Sequence, residues 1–176
     1  MDRPFFENLI QQFPNPVPIG IAISGLWIHH HKAELDWLID QARQGHLDIL
    51  WIYLSLTHPY DMHRSITSNF LLENGVRLDS EVLENEIWMI EAGLKPSVFF
   101  RFPGLISSQQ LIGHIKNWGL IPLSANVWLG RGQKISPGSI ILLHGIGNEP
   151  SGLKLFNLEI VLRIFESLKL SNLLDW

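Results

Sequence analysis

The chain has 176 residues and no cysteine, which excludes disulfides, thiol catalysis and thiolate-held zinc. Hydrophobic residues make up 46% and charged residues 17%, which excludes a long disordered tail and predicts one globular domain over residues 1–176. The formal charge is −4 and nothing basic clusters along the chain, so there is no footprint for nucleic acid or an anionic membrane surface.

The opening stretch, MDRPFFENLIQQFPNPVP, is broken by proline and lacks a basic start followed by an apolar run, so it does not read as a signal peptide. No apolar run reaches the roughly 20 residues needed to cross a bilayer. IGIAISGLWI, residues 19–28, predicts a strand. KAELDWLIDQARQ, from Lys32, puts Ala33, Leu35, Trp37, Leu38 and Ala42 on one helical face, and Gly45 ends it. DILWIYLSL, from Asp48, is too continuously apolar for a half-exposed strand and predicts one buried on both faces, as in a parallel sheet. A polar loop from Pro59 to Leu78 leads to a helix from Ser80 that is stopped at Gly93. A strand in SVFFR, a helix in SQQLIGHIKNW, strands in LIPLSA and GSIILLHG, and a final helix from about Leu155 to Leu168 complete the pattern. Such alternation predicts an α/β fold: a mostly parallel sheet with helices outside.

In sheets of this kind, functional groups gather on the loops that leave the carboxyl ends of the strands. The predicted strand ends carry Trp27 with His29, His30 and His31; Thr57 and His58; Arg101; Asn126 and Trp128; and His144. Each has a structural reading beside the functional one. His58 precedes Pro59 and can simply end an extended segment. The triplet His29–His31 reads as a solvated helix start. His63 lies five positions beyond His58, a spacing that fits neither one helical face nor one strand face. Arg101 sits among Phe99, Phe100 and Phe102, where a guanidinium needs a partner or a ligand. His144 ends the apolar run from Ile140 ahead of Gly145 and Gly147; it is either a satisfied structural histidine or a general acid or base. The GRG at 130–132 is not a phosphate loop, because no Walker lysine follows at the right spacing.

SLTHPYD (55–61), FFRFPG (99–104) and GSIILLHG (138–145), in that order, resemble the metal-dependent polysaccharide deacetylases of the nodulation type, a carbohydrate esterase family. The likeness covers roughly residues 17–168, and it includes Gly45–His46 and the GNEP loop from Gly147 to Pro150 seen in a branch of deacetylase-like bacterial proteins. The resemblance implies a distorted, closed or partly closed (β/α) barrel and a divalent metal, commonly zinc, held by an aspartate and two histidines. It implies hydrolysis of an acetamide by metal-activated water, with an aspartate as base and a histidine as acid. By motif match, His58 corresponds to the second metal histidine, Arg101 to the arginine orienting the catalytic carboxylate, and His144 to the proton donor. For location, the resemblance implies the cell envelope, while the missing signal-peptide pattern leaves the cytoplasm as the alternative.

The pattern departs from the family at three positions. Leu54 stands where the first metal histidine is expected, and Ile23 and Ser24 stand where the catalytic and metal-binding aspartates are expected before Gly25. Leucine and isoleucine have no lone pair for zinc, and one imidazole is not a zinc site. The expectation is therefore that the metal is absent, with His63 or one of His29–His31 as the only candidate replacement ligands. Two functions stay open: a hydrolase of carbon–nitrogen bonds in acylated amino sugars using His144 and Arg101, or a catalytically silent relative that binds carbohydrate. In either case Trp27, Tyr60 and Trp128 would stack on sugar faces, with Asn126 as a further substrate contact. The apolar tail LSNLLDW is the one feature suited to a homodimer.

Overall fold

The computed structural model describes residues 1–136, 138–145 and 150–156. These residues fall into two compact units, one of residues 14–124 and one of residues 1–13 with those from 125 onward. In chain order the regular elements are α1 (Arg3–Gln12), β1 (Val17–Ile23), α2 (Gly25–His30), α3 (Lys32–Arg43) and β2 (Leu47–Tyr53). A π-helical turn, Ser80–Glu84, runs into α4 (Asn85–Glu91), followed by β3 (Pro96–Phe100), α5 (Gln109–Asn117) and β4 (Ile121–Pro122). Last come β5 (Val127–Trp128), β6 (Ile141–Leu142) and α6 (Pro150–Leu155).

In the unit of residues 14–124, the sheet order is β1-β2-β3-β4 and every pairing is parallel. Ile23 pairs with Tyr53, Tyr53 with Phe100, and Phe100 with Pro122, so these four residues form a row across the carboxyl edge. The buried-strand pattern read from residue 48 onward is realised in Trp51, Ile52 and Tyr53, all buried. The amphipathic faces of the helices close over the sheet: α3 packs on β2, α4 on β3 and α5 on β4. Leu38, Met89 and Ile115, at 1%, 0% and 0% exposure, are their anchors. Burial of a side chain of this kind stabilises by about 1.5–3 kcal/mol. Ser108 starts α5 by accepting the Leu111 N–H on its Oγ at 3.2 Å, and Gly45, at φ +75°, turns the chain between α3 and β2.

The strand predicted over 19–28 is shorter than expected. It stops at Ile23, and GLWIHH is the helix α2, because Ser24 caps it through its side chain. The segment read from Asp48 also leaves the sheet early, at Tyr53. LIPLSA keeps only Ile121–Pro122 in the ladder, since Pro122 has no N–H to extend it. GSIILLHG keeps only Ile141–Leu142, because the Ile140 N–H is taken by the Asn126 side chain at 2.8 Å.

The other unit contains α1, the parallel pair β5 and β6, and α6. Asp2 caps α1 by accepting the Phe5 N–H, and its own N–H donates to the Gly145 carbonyl at 2.6 Å. Among the described residues the strands therefore pair as a four-stranded and a two-stranded parallel sheet, within the α/β class expected. No helix among them is long and apolar enough to cross a membrane. The final helix beyond residue 156, residues 147–149 of the GNEP loop and the tail LSNLLDW lie outside the described residues.

Candidate functional site

The geometry of the candidate site follows from how β1 and β2 end. Ile23, 3% exposed, is the last residue of β1. Ser24 then turns the chain, its Oγ accepting the Trp27 N–H at 3.3 Å. The next free N–H groups of α2 are met by the segment leaving β2: Gly25 donates to the Ser55 carbonyl at 3.2 Å and Leu26 to the Leu56 carbonyl at 2.9 Å. Leu54 N–H donates to the Ile23 carbonyl at 3.3 Å. The helix N-terminus that faces the strand ends is thus filled by the chain's own carbonyls. Gly25 permits this approach, because a Cβ there would stand 3.1 Å from the Trp88 ring and 2.5 Å from a Leu56 methyl.

Two buried polar side chains stitch this edge from α4 and the turn before it. Asn85, fully buried, donates its Nδ2 to the Ile23 carbonyl at 3.3 Å, while its Oδ1 has no partner. Glu81, 8% exposed, accepts both the Thr57 N–H, at 2.9 Å, and the Thr57 hydroxyl, at 2.6 Å. Its backbone carbonyl accepts the Leu56 N–H at 2.7 Å. At the buried end of β2, Tyr53 has a phenol pushed well above its ordinary range by burial and by the neighbouring Glu86 carboxylate.

His58 follows directly. Its N–H donates to the Oγ of Ser55 at 3.0 Å, and its φ is +52° rather than the extended value expected before proline. A left-handed non-glycine residue costs about 1–3 kcal/mol. The bonds from Thr57 and His58 to Glu81 and Ser55 offset that cost and hold the turn. The imidazole meets the edge of Phe70 at a centroid distance of 5.9 Å, and Tyr60 stacks on the same phenyl ring at 5.2 Å. Phe70 itself lies at φ +54° and covers Gly104, where any Cβ would collide with its ring. Asn69, 1% exposed, secures this strap: its Oδ1 accepts the Asp61 and Phe70 N–H groups, at 3.0 and 2.9 Å. Arg64 ties Asp61 to Glu73 at 3.1 and 2.9 Å.

Arg101 is the first residue past β3 and donates its backbone N–H to the Tyr53 carbonyl at 2.7 Å. Phe100 and Phe102, on either side, are buried. Burial lowers the guanidinium from its ordinary value, and Nε has no hydrogen-bond partner.

The remaining histidines are spread along the chain. His29 lies against His30 and Trp88, at 5.0 and 5.7 Å. His31 stacks on Trp27 at 5.0 Å, with Nδ1 at 3.2 Å from the Trp27 carbonyl. These residues belong to α2 and its C-cap rather than to a strand end. His63 is exposed and donates its N–H to Asp61 Oδ1 at 2.9 Å. In the unit that contains β5 and β6, Trp128 and His144 come together at 5.5 Å, and the Arg131 guanidinium covers Trp128 at 3.8 Å. Asn126, just before β5, spends its side-chain carbonyl on the Ile140 N–H. Glu81, Asn85 and Phe70 escape the sequence reading. Glu81, at the start of a helix that follows a strand-end loop, had a signal there; Phe70, in a polar loop, had only its aromaticity.

A parallel α/β sheet whose carboxyl edge gathers the polar loop residues is the class that the fold defines. Within that class the fold is that of the family 4 carbohydrate esterases, the polysaccharide deacetylases. The structure is similar to a family 4 esterase from Streptomyces lividans solved with acetate, at TM-score 0.65 and 14% identity over 94% of this chain and 81% of that one. It is similar to a family 4 esterase from Bacillus anthracis, at TM-score 0.63 and 19% identity over 97% and 70%. A family 4 pseudoenzyme from Bacillus anthracis aligns at TM-score 0.65 and 14% identity, over 95% of this chain and 58% of that one. The fold thus houses both carbohydrate esterases and a pseudoenzyme. No family model matches the chain.

Members of this family generally depend on a metal. Among the described residues, no group of three or more histidine, aspartate or glutamate side chains is placed to hold one. At the ends of β1 and β2 the nitrogen and oxygen donors at the three matched positions and at His58 are one imidazole and the Ser24 hydroxyl that caps α2. A catalytic zinc takes three protein ligands, so this donor set does not fit it.

Proposed function

We propose that this chain is a deacetylase-fold protein that binds carbohydrate and has lost the metal site on which the family's hydrolysis depends. The observation that carries this reading is the engagement of the three departing positions in structure: Ile23 is buried, Ser24 caps α2, and Leu54 closes onto Ile23. The aromatic residues suit sugar binding. Tyr60 is 63% exposed and braced from behind by Phe70, and Trp128 lies against Arg131 and His144. A pre-set ring presents an apolar face to a sugar at little entropic cost. Trp27 offers an indole N–H, and Asn126 retains its amide N–H groups.

The test is paired. Tryptophan fluorescence reports binding of acetylated chito-oligosaccharides, and acetate release is measured with and without added zinc, cobalt or manganese. Binding without release above the blank is expected. Metal-dependent release that His144→Ala abolishes would overturn the reading in favour of a hydrolase.

A further inference from the structure

We propose that the strand-end site at Arg101 takes the carboxylate of an acidic sugar, an inference that rests on the carbohydrate-binding reading and names its ligand class. The other described arginines each face a partner. Arg3, Arg43, Arg64 and Arg77 pair with carboxylates, and Arg131 covers the Trp128 ring. Arg101 has neither kind of partner among the described residues, and its Nε–H is buried without an acceptor. Two acidic side chains that serve the same strand ends are engaged with other groups: Glu81 accepts from Thr57, and Glu86 lies against the Tyr53 phenol.

An arginine flanked in sequence by buried phenylalanines, with no counter-charge among the described residues, is a cost to the fold. It is retained at the edge of the sheet where this class of fold takes ligands. A second unmet donor, Trp27 Nε1, belongs to the helix that leaves β1 at the same edge. Both want acceptors. A neutral acetamido sugar offers a dispersed set of weak ones, whereas a carboxylate offers two charged oxygens in the plane of the guanidinium fork. The resemblance points the same way. The position matched to the carboxylate that such an arginine would orient is Ile23, which brings no charge, and a ligand carboxylate would take that place.

The experiment uses the full chain and matched ligand pairs: D-glucuronate against D-glucose, and N-acetylmuramate against N-acetylglucosamine, with acetate and glucose 6-phosphate as controls. Affinities come from calorimetry or tryptophan fluorescence. The acidic member of each pair is expected to bind more tightly by about tenfold, or ~1.4 kcal/mol. That preference should vanish in Arg101→Met, checked as folded by circular dichroism, and shrink in Arg101→Lys, which keeps the charge but loses the fork. Equal affinity within each pair, or a preference that survives Arg101→Met, overturns the proposal; if Arg101→Met does not fold, an undiminished preference in Arg101→Lys does so. Acetate binding as tightly as glucuronate removes the sugar, and glucose 6-phosphate binding more tightly removes the carboxylate. When neutral sugars bind but the acidic preference is absent, this inference alone falls; when no sugar binds, the carbohydrate reading falls with it.

Discussion

The Thr57 backbone N–H and hydroxyl both donate to the Glu81 carboxylate, at 2.9 and 2.6 Å, across 24 positions of sequence. This contact joins the segment leaving β2 to the π-helical turn before α4, and so sets where His58 begins its left-handed turn. π-Helical turns inside helices recur at functional sites because they re-aim one side chain without breaking the helix. Here Glu81 lies within that turn.

Glu81→Ala should destabilise the chain by about 2 kcal/mol, since a hydrogen bond to a charged group is lost and the Thr57 donors lose their acceptor. Glu81→Gln should cost less, because an amide oxygen still accepts. Urea midpoints at constant slope measure both. A midpoint for Glu81→Ala within about 0.5 kcal/mol of the parent, the range of an ordinary surface substitution, would mean that the contact does not hold the loop.

Tyr53 makes the stability sensitive to alkali. The residue is 3% exposed, and its phenol is raised above the ordinary value of about 10 by burial and by Glu86. A raised folded value means that the folded state favours the neutral phenol. Its contribution is therefore fully present below the unfolded value and is lost as pH rises through the folded one. Stability should fall above about pH 10. Glu86→Gln should shift the Tyr53 ionisation to lower pH, because the carboxylate that opposes the phenolate is gone. Ultraviolet titration of Tyr60→Phe, which leaves one of the two tyrosines, isolates the signal. Ionisation of Tyr53 well before the loss of near-ultraviolet dichroism would contradict its burial.

The crossover pattern is legible in the sequence because its signals are local. The apolar run after Asp48, the Ser108 cap and the stop at Gly45 each act over a few residues. GLWIHH is not legible as a helix. Apolar residues continue from Ile19 to Ile28 with little change of period, and what selects the helix is the Ser24 cap together with carbonyls of Ser55 and Leu56. The Phe70 strap is hidden for the same reason, since its ring matters only once Gly104 is beneath it. Arg101 is legible because a charge among phenylalanines is anomalous in any fold of this composition, whereas Asn85 acquires meaning only from the Ile23 carbonyl it reaches. Local chemistry announces itself in a sequence; long-range complementarity does not.

The last prediction concerns the metal. If the loss of ligands at positions 24 and 54 is what disables a zinc site, restoring them should create one. Ser24→Asp keeps an N-cap for α2, because aspartate caps as well as serine does. Leu54→His then adds an imidazole four residues before His58, giving one carboxylate and two histidines, a ligand count sufficient for catalytic zinc. The double variant should bind one zinc ion after chelator treatment, and at a hundredfold excess over Kd its stability should rise by about 2.7 kcal/mol. That corresponds to a rise in Tm of about 5–11 °C for a chain of this size. The parent chain, treated alike, should show no shift. Metal analysis with thermal unfolding decides the matter. A parent that takes up stoichiometric zinc would show that the ligands come from elsewhere in the chain. A folded double variant that takes up none would show that the ends of β1 and β2 no longer have the geometry of a metal site, so that more than two side chains separate this edge from an active one.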